Sequence, residues 1–425
     1  RFLMCTICVV CILTGIIFYK PYLGIAFVII AIPFEGSMHF DSISTYPIEV
    51  IIAIIVLICV IKLIMRKENC FRNTKLVFFC LPFIFWLFLS SVKSIELSLA
   101  IKEIVRWLEL FIVYYLTINL VNDDKKTRVI MYTMFLATAT VSVCGAISHF
   151  SGAPDLYKGR PGVHVFFGHP NVLAGYVNLI IPVLFGMLLA SAFLWERIVL
   201  CTFVVISTMT WFLTFSRSAW LALIMTMIPF FFLAKKKRRG IFLSAIFFVI
   251  LAVVLLSFSS NVKDDLVERL LSKNATLENR LLSYSIGLDM VRDNLMLGIG
   301  IGNYPLLIEK FTASMDLPSV YFFRLNDLHN LYLQIFVTMG LMGLSSFVYW
   351  LICIFKYLIN ALKSLERSRD YYLFVGLMGG VIVYLINNLG NVLTVHGIHL
   401  QWGIILGLAV VLTQFRESET CPKTV

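Results

Sequence analysis

Charged side chains are scarce in this chain. Only 14% of its 425 residues are charged and 60% are hydrophobic, whereas soluble domains are roughly 45–50% apolar. So little charge excludes a soluble globular protein. The apolar runs approach the roughly 20 residues that a helix needs to cross a bilayer. They are continuous rather than alternating, so we expect helices and not a barrel.

The pattern predicts an all-α polytopic membrane protein of about 12–13 transmembrane helices, with residues 1–425 as a single integral membrane domain. One large extracytoplasmic loop, 259–328, should contain amphipathic helices, because Leu277, Leu281, Tyr284, Leu288 and Val291 recur at helical spacing. The predicted spans are 2–18, 21–34, 47–65, 75–91, 101–121, 127–149, 171–192, 196–215, 217–234, 240–258, 329–357, 371–389 and 397–414.

The positive charges indicate topology. A net charge of +11 would point to nucleic acid in a soluble protein, but here the run "KKKRR" at 235–239 lies between two apolar runs and predicts a cytoplasmic turn. Counting the predicted spans outward from this turn places the basic stretches 66–75, 122–128 and 363–369 on the same side of the membrane. The count places 35–46, 92–100, 150–170, 216–217 and 259–328 on the outer face. It also leaves the N-terminus outside, so we expect a further helix before Arg1.

A short polar turn carries the first candidate site residue. In "TFSRSAWLAL" (214–223), Ser216 is the expected N-cap of the next helix and Arg217 stands in its first turn. The free N–H groups and positive dipole of a helix N-terminus, together with a guanidinium, suit an anion such as phosphate. The alternative is an arginine that only extends its charge to the interface.

A histidine stands at another boundary between polar and apolar sequence, "DLHNLYLQ" (327–334). Asp327 is the expected N-cap of the following helix, which would place His329 and Asn330 in its first turn at the outer membrane surface. Free imidazole titrates near neutrality, so His329 is a candidate general base. An interfacial histidine with a structural role is an equal alternative on these residues alone.

Other outer segments carry weaker candidates. Arg280 begins the predicted amphipathic helix of the large loop, where it would pass for a surface arginine. Arg160 precedes "GHPN", in which His169 and Asn171 could serve only as turn residues at a helix start. His164 and His169 are too close together, and too short of carboxylate partners, to indicate a metal.

We expect neither a metal nor a nucleotide site. The ten cysteines lie almost entirely in apolar runs, where they are best interpreted as small hydrophobic side chains. Asp123 and Asp124 fall on the predicted cytoplasmic side, and Asp264 and Asp265 lie in a solvated charge cluster. The glycine-rich "DNLMLGIGIGNYP" (293–305) lacks the βαβ context that a dinucleotide loop needs.

Taken in order, four segments resemble the O-antigen ligase and polymerase family (WaaL and the Wzy-like enzymes that share its C-terminal domain). They are "GRPGVHVFFGHPNVLAGY", "TFSRSAWLAL", "ENRLLSYSIGLDMVRDNLMLGIGIGNYP" and "LHNLYLQIFVTMGLMGL", in the family's order and spacing. The resemblance covers roughly Arg160 to Trp350. The resemblance predicts an O-antigen ligase-like catalytic region at 150–350.

The resemblance implies an inverting, metal-independent glycosyltransferase without a cofactor, in the bacterial cytoplasmic membrane with its active site outside. The donor would be a saccharide on undecaprenyl pyrophosphate. Carried onto this sequence, Arg217 and Arg280 would hold the pyrophosphate, and His329 would activate the acceptor hydroxyl.

Four residues are second-tier candidates for substrate binding. Arg160 matches a recurrent arginine of the family. His169 stands where many relatives have a small or amide residue, so a donor contact from it is open. Asn171 and Asn330, beside the two histidines, complete this group.

The acceptor is open at this stage. A ligase would use lipid A–core, and the late outer loop carrying Arg280 and His329 slightly favours it. A polymerase would extend a lipid-linked chain, and relatives glycosylate proteins or build other envelope polymers. The partners are therefore a lipid-linked donor, a glycolipid or glycan acceptor and the bilayer, without nucleic acid.

The alternative from another class is a transporter or flippase of lipid-linked sugars. It predicts charges deep within spans and broken helices near mid-bilayer. The main support is Glu103 and Arg106, which we expect to pair at i,i+3 and to face the bundle.

Overall fold

The computed structural model is a helical bundle with two very short antiparallel strand pairs. The strands are β1 (Met38–Phe40) with β2 (Ile43–Thr45), in the register Met38 to Thr45, and β3 (Leu156–Tyr157) with β4 (Arg160–Pro161). The structure describes residues 2–34, 38–40, 43–45, 47–65, 75–151, 156–157, 160–257, 273–313, 327–366, 368, 370–395 and 397–420.

Within these residues, each of the thirteen predicted apolar spans overlaps one α-helix or, at 75–91, two, and the span 21–34 ends in a 3-10 helix, Ile32–Phe34. The helices are α1 (Phe2–Tyr19), α2 (Tyr22–Ala31), α3 (Pro47–Ile64), α4 (Lys75–Phe79), α5 (Leu81–Ser91), α6 (Leu97–Leu120), α7 (Asp124–Phe150), α8 (Pro170–Ala190), α9 (Leu194–Leu213), α10 (Arg217–Leu233), α11 (Lys236–Ser257), α12 (Lys273–Val291), α13 (Tyr304–Ala313), α14 (Leu331–Leu365), α15 (Tyr371–Asn387) and α16 (Ile398–Thr420).

The all-α polytopic architecture is confirmed. Helices α3, α7, α8, α9 and α14 are each long and apolar enough to cross a membrane, and shorter apolar helices accompany them. Helix α8 forms the centre of the bundle, because nearly all of its side chains are buried. It approaches α15 closely where Gly186 faces Gly376, since a Cβ at Gly186 would lie 2.7 Å from the Cα of Gly376. Small residues allow such close contact between membrane helices.

The helix termini divide the bundle into two ends. One, the basic end, gathers the loop residues 191–193, 234–235, 366, 368 and 370, and the Tyr371 hydroxyl donates there to the Leu233 carbonyl at 3.1 Å. The other, the site end, gathers 92–96, 162–169, 214–216, 292–303, 327–330 and 388–395. The Val163 amide donates there to the Leu213 carbonyl at 3.1 Å, and the Ile95 amide to Asn303 Oδ1 at 2.8 Å.

Helix α14 is broken after nine residues. Gly340 has φ 69° and ψ −170°, which interrupts the helical hydrogen bonds. The freed groups are bound by the segment 295–300: the Ile299 amide donates to the Val337 carbonyl at 2.9 Å, and the Leu341 amide donates to the Leu295 carbonyl at 2.8 Å. Because backbone groups inside a bilayer need partners within the protein, this segment allows the helix to break.

The glycines of "LMLGIGIGN" make this packing possible. A Cβ at Gly298, whose φ is 72°, would lie 2.5 Å from the Thr338 carbonyl carbon, and one at Gly340 would lie 2.3 Å from the Met296 oxygen. Only glycine accommodates that approach. The segment excluded above as a nucleotide loop therefore has a structural role.

The predicted apolar stripe of α12 is correct at Val291, which is buried, but wrong at two of its leucines. Leu281 and Leu288 are 56% and 49% exposed, and the buried face instead carries Ser283, Ile286 and Met290. The helix also begins at Lys273, seven residues before Arg280. Leu277 lies where side chains are outside the described part, as do residues 258–272 and 314–326 of the large loop.

Candidate functional site

Arg217, Arg280 and His329 meet at the site end, on three elements far apart in sequence. The charges of Arg217 and Asp327 both act on Arg280, and Asp327 contacts His329 directly. A Cβ at Gly390 would lie 3.4 Å from Arg280 Nη1. The large loop, through α12, thus brings its arginine to the N-termini of α10 and α14.

Arg217 is the first residue of α10, as predicted, and it is exposed. Ser216 occupies the N-cap position with φ −84° and ψ 97°, but its side chain makes no capping bond. Its hydroxyl is buried and has no hydrogen-bond partner among the described residues. The preceding Phe215 has φ 53°, a region that costs energy for a bulky residue. The turn therefore presents the N-terminus of α10 uncapped.

Arg280 lies half-buried on α12, one turn before Tyr284. Burial lowers the pKa of Arg280, as does the positive charge of Arg217, while Tyr284 and Asp327 act in the opposite direction. Arginine nevertheless stays charged in proteins. In the described part of the chain, no carboxylate lies within salt-bridge distance of Arg217 or Arg280. Two neighbouring guanidiniums without such a partner form a site suited to a doubly charged anion.

One carboxylate oxygen of Asp327 contacts both the backbone amide and the imidazole ring of His329. Its Oδ1 accepts the His329 backbone amide at 2.7 Å and lies 3.0 Å from His329 Nδ1. His329 itself has φ 47°, a left-handed conformation that the amide bond to the carboxylate stabilises. A carboxylate accepts but cannot donate, so the contact favours a proton on Nδ1 and leaves Nε2 as the basic atom.

The pKa of Asp327 reflects this contact. Its enclosed position raises the pKa. The hydrogen bonds and charge of His329, together with the charge of His169, lower the pKa by more than burial raises it, so the net shift is downward. The carboxylate is therefore charged at neutral pH. Asn330, three residues after Asp327, is the N-cap of α14, since Asn330 Oδ1 accepts the Leu333 amide at 3.1 Å. The predictions that Asp327 caps the helix and that His329 and Asn330 lie in its first turn are wrong.

An asparagine-rich turn after α15, "NNLGN" (387–391), connects the two halves of the site, and the sequence reasoning missed it. The Leu331 amide donates to the carbonyls of Asn388 and Asn391 at 3.0 and 3.2 Å. The Asn391 amide group donates to Ser218 Oγ, next to Arg217, at 2.7 Å. Three asparagines and a glycine at the end of an apolar run were the available signal.

Two of the second-tier candidates, His169 and Asn330, are helix N-caps. His169 is the N-cap of α8, and its Nδ1 accepts the Asn171 amide at 3.0 Å. His169 is also close enough to Asp327 for its charge to act on that carboxylate. Arg160 lies in β4, and its side chain is outside the described part of the structure. Among the described residues, no group of three or more His, Cys, Asp or Glu could hold a metal.

The fold and the site define a multi-pass membrane protein with a cationic cluster and an aspartate–histidine pair at one end. The family model described as O-antigen ligase matches residues 202–348, a segment that includes Arg217, Arg280 and His329. This match supports the O-antigen ligase, or Wzy-like, family. It indicates a membrane glycosyltransferase-like enzyme with lipid-linked glycan substrates. A comparison with curated proteins gave no match.

Proposed function

We propose that this protein is an inverting glycosyltransferase that moves a saccharide from undecaprenyl pyrophosphate to an acceptor hydroxyl. The observation that carries the proposal is the meeting of two guanidiniums, without salt bridges to other described residues, with the Asp327–His329 pair. The O-antigen ligase family match over the same residues supports it.

Arg217 and Arg280 bind the pyrophosphate in this proposal. The uncapped N-terminus of α10 adds free N–H groups and the positive end of a helix dipole. As the glycosidic C–O bond breaks, negative charge develops on the pyrophosphate oxygen, and two fixed cations stabilise it without reorganisation. Because guanidiniums supply this charge, we expect transfer to proceed without a divalent cation.

His329 removes the acceptor proton. Its Nε2 takes the proton from the hydroxyl while the oxygen attacks the anomeric carbon and the bond to the pyrophosphate breaks. The bonding electrons leave with undecaprenyl pyrophosphate, and the anomeric configuration inverts. Asp327, bonded to Nδ1 at 3.0 Å, orients the ring and stabilises the imidazolium that forms, as in other carboxylate–histidine pairs.

The site faces the outside of the cytoplasmic membrane in this proposal. Lys235, Arg238 and Arg239 lie at the opposite end of the bundle from Arg217, and positively charged loops remain on the cytoplasmic side. A lipid-linked donor on the outer leaflet then reaches the cluster from the bilayer. Arg160, His169, Asn171 and Asn330 stay candidates for contacts with its saccharide.

The acceptor we propose is lipid A–core, with a growing lipid-linked polysaccharide as the second candidate. The structure gives one feature in favour of a transporter instead, because α14 is broken at Gly340. However, the groups freed by the break bind segment 295–300. The predicted Glu103–Arg106 pair, at 2.5 Å, lies six and nine residues into α6, within about 14 Å of its site end.

The test is reconstitution of the purified protein in liposomes with an undecaprenyl pyrophosphate-linked oligosaccharide. A lipid A–core glycolipid and a second lipid-linked oligosaccharide are supplied separately as acceptors, with and without a chelator. Inverted glycoside formed on lipid A–core alone supports the ligase, and elongation of the lipid-linked chain identifies a polymerase. Movement of the donor between leaflets without any glycoside product would overturn the proposal.

A further inference from the structure

A cavity of about 270 Å³ opens beside the catalytic pair. It lies between α6, the start of α13, the first part of α14 and the segment 392–395. Asp327 lines its upper part, and Thr338 and Met339 line its lower part, just before the break in α14. Along a helix these positions lie about 12 Å below Leu331, so the cavity descends into the bundle from the site end.

Asp327 belongs both to the lining of the cavity and to the surroundings of the guanidinium cluster, since its charge acts on Arg280. Asp327 and Leu331 line the cavity, yet the Leu331 amide is bound by the asparagine turn that reaches Ser218 and Arg217. Of the described residues that line the cavity, none is Arg217 or Arg280. The cavity is therefore a second compartment, which the arginines do not line, and it reaches His329 through Asp327, the carboxylate that holds the ring.

The lining of the cavity combines apolar surface with hydrogen-bonding groups. Leu331, Ile335 and Val392 supply apolar contacts, while Glu103, Arg106 and Gln334 supply donors and acceptors. The charges are balanced, because Lys102 and Arg106 are matched by Glu103 and Asp327 in the lining, and Arg106 Nη1 lies 2.5 Å from Glu103 Oε1. A sugar ring has the same character, with C–H groups on its faces and hydroxyls at its edges. An anion such as pyrophosphate finds no excess of cations here.

The inverting mechanism also favours an acceptor sugar as the occupant of the cavity. The attacking oxygen must approach the anomeric carbon from the face opposite the leaving group, and the leaving pyrophosphate lies with the arginines. The acceptor hydroxyl must then come from a space that the arginines do not line, and the cavity beside Asp327 is such a space. The size of the cavity, near the lower limit of about 300 Å³ for small-molecule sites, suits a single terminal sugar.

We infer that this cavity is the subsite for the terminal acceptor sugar, with Glu103, Arg106 and Gln334 as the groups that select it. This inference rests on the proposed glycosyltransferase function. The donor's lipid and pyrophosphate stay on the arginine side, so changes in the cavity alter use of the acceptor and leave use of the donor unchanged.

The test uses a substitution that fills part of the cavity, and it measures the KM for both the acceptor and the donor. Val395 is half-buried at the cavity wall, and Val395→Phe fills part of the space. We expect the KM for the acceptor to rise at least tenfold, with the KM for the lipid-linked donor within twofold of wild type. Glu103→Gln, nearly equal in size, should change the preference among acceptors that differ in their terminal sugar. Val348→Phe, at a position on α14 that is 40% exposed, is the matched control.

The outcomes separate the two proposals. A rise in the donor KM, or unchanged kinetics in both cavity variants, would overturn the acceptor subsite. If wild-type protein forms no glycoside at all, the glycosyltransferase proposal fails, and calorimetric binding of the free core oligosaccharide to the full-length protein then examines the cavity alone. Binding that Val395→Phe abolishes and Val348→Phe preserves would support a sugar site, and equal binding by all three proteins would overturn it.

Discussion

The two ends of the bundle use positive charge in opposite ways. At the basic end, cations bind the last carbonyls of helices: Arg197 and Arg238 donate to the Ser191 carbonyl at the C-cap of α8, at 2.9 and 3.4 Å. Arg239 donates to the Ala234 carbonyl at the C-cap of α10 at 3.0 Å, and Lys235 donates to the Glu366 carbonyl at the C-cap of α14. These cations balance the negative ends of helix dipoles.

At the site end the same helices begin, so their positive dipole ends point there. Arg217 stands at the N-terminus of α10, and Arg280 adds a second cation beside it. Nothing in the described residues pairs either guanidinium with a carboxylate. Two positive charges therefore lie near each other at a place where the positive end of a helix dipole also disfavours them. Position relative to the helix ends, more than the count of arginines, therefore distinguishes the candidate anion site from the structural caps.

The largest effect should come from His329→Ala. Loss of a general base lowers rates by roughly 10² to 10⁴-fold, so transfer from the undecaprenyl pyrophosphate saccharide should become undetectable in ordinary assays. Radiolabelled product formation in liposomes measures it. His149→Ala, which removes a half-buried histidine from the last turn of α7, should retain full activity. An inactive His149 variant, or an active His329 variant, would contradict the assignment.

Arg217→Lys should have the next largest effect, because it keeps the charge and loses the planar fork. Loss of one charged hydrogen bond, about 1.5–3 kcal/mol, corresponds to roughly 10- to 150-fold in kcat/KM for the donor. The matched control is Arg197→Lys at the basic end, where one carbonyl accepts the bond. Similar losses in both variants would remove the distinction between the two ends.

Asp327→Asn should lower kcat about tenfold or more, because the ring of His329 loses the carboxylate that orients it. The pKa of Asp327 lies below its usual value of 3.8, so its contact with His329 is present at higher pH and is lost only as pH falls through the lowered value. The defect should therefore be constant across neutral and alkaline pH in a pH–rate profile. A defect confined to alkaline pH would indicate a different role.

The smallest effect should follow Arg238→Gln at the basic end. Its bond to the Ser191 carbonyl is long, at 3.4 Å, and a helix-dipole contact of this kind contributes about 0.3–1 kcal/mol. We expect transfer activity within twofold of wild type and a small decrease in thermal stability in detergent. A loss of activity comparable to Arg217→Lys would show that the basic end also takes part in the reaction.

Several elements of the site could be read from residues near one another in sequence. A continuous apolar run predicts a helix in lipid because its backbone groups must bond within the segment, and Arg217 therefore appeared correctly at the start of α10. The Glu103–Arg106 pair followed from i,i+3 spacing and is confirmed. The four family-like segments predicted the O-antigen ligase resemblance that the match at 202–348 supports.

Other predictions from the sequence were wrong for identifiable physical reasons. The stripe of α12 was assigned by hydrophobicity, but a protein beside a bilayer can expose leucines, as Leu281 and Leu288 show, so apolar periodicity did not reveal the buried face. The N-cap of α14 was assigned to Asp327 because carboxylates commonly cap helices. The left-handed backbone of His329 places the carboxylate on the imidazole instead, and spacing alone does not determine that geometry.

The sequence by itself determined where the helices lie in the chain and that they are apolar. It also determined at which end of the bundle the main basic side chains lie. These properties depend on local hydrogen bonding and on the alternation of spans. Only the tertiary structure decided which charges meet. The approach of Arg217 and Asp327 to Arg280, the asparagine turn that links Leu331 to Ser218, and the insertion of 295–300 at Gly340 join residues from distant parts of the chain. Their energies arise from packing and buried hydrogen bonds, which no local pattern encodes.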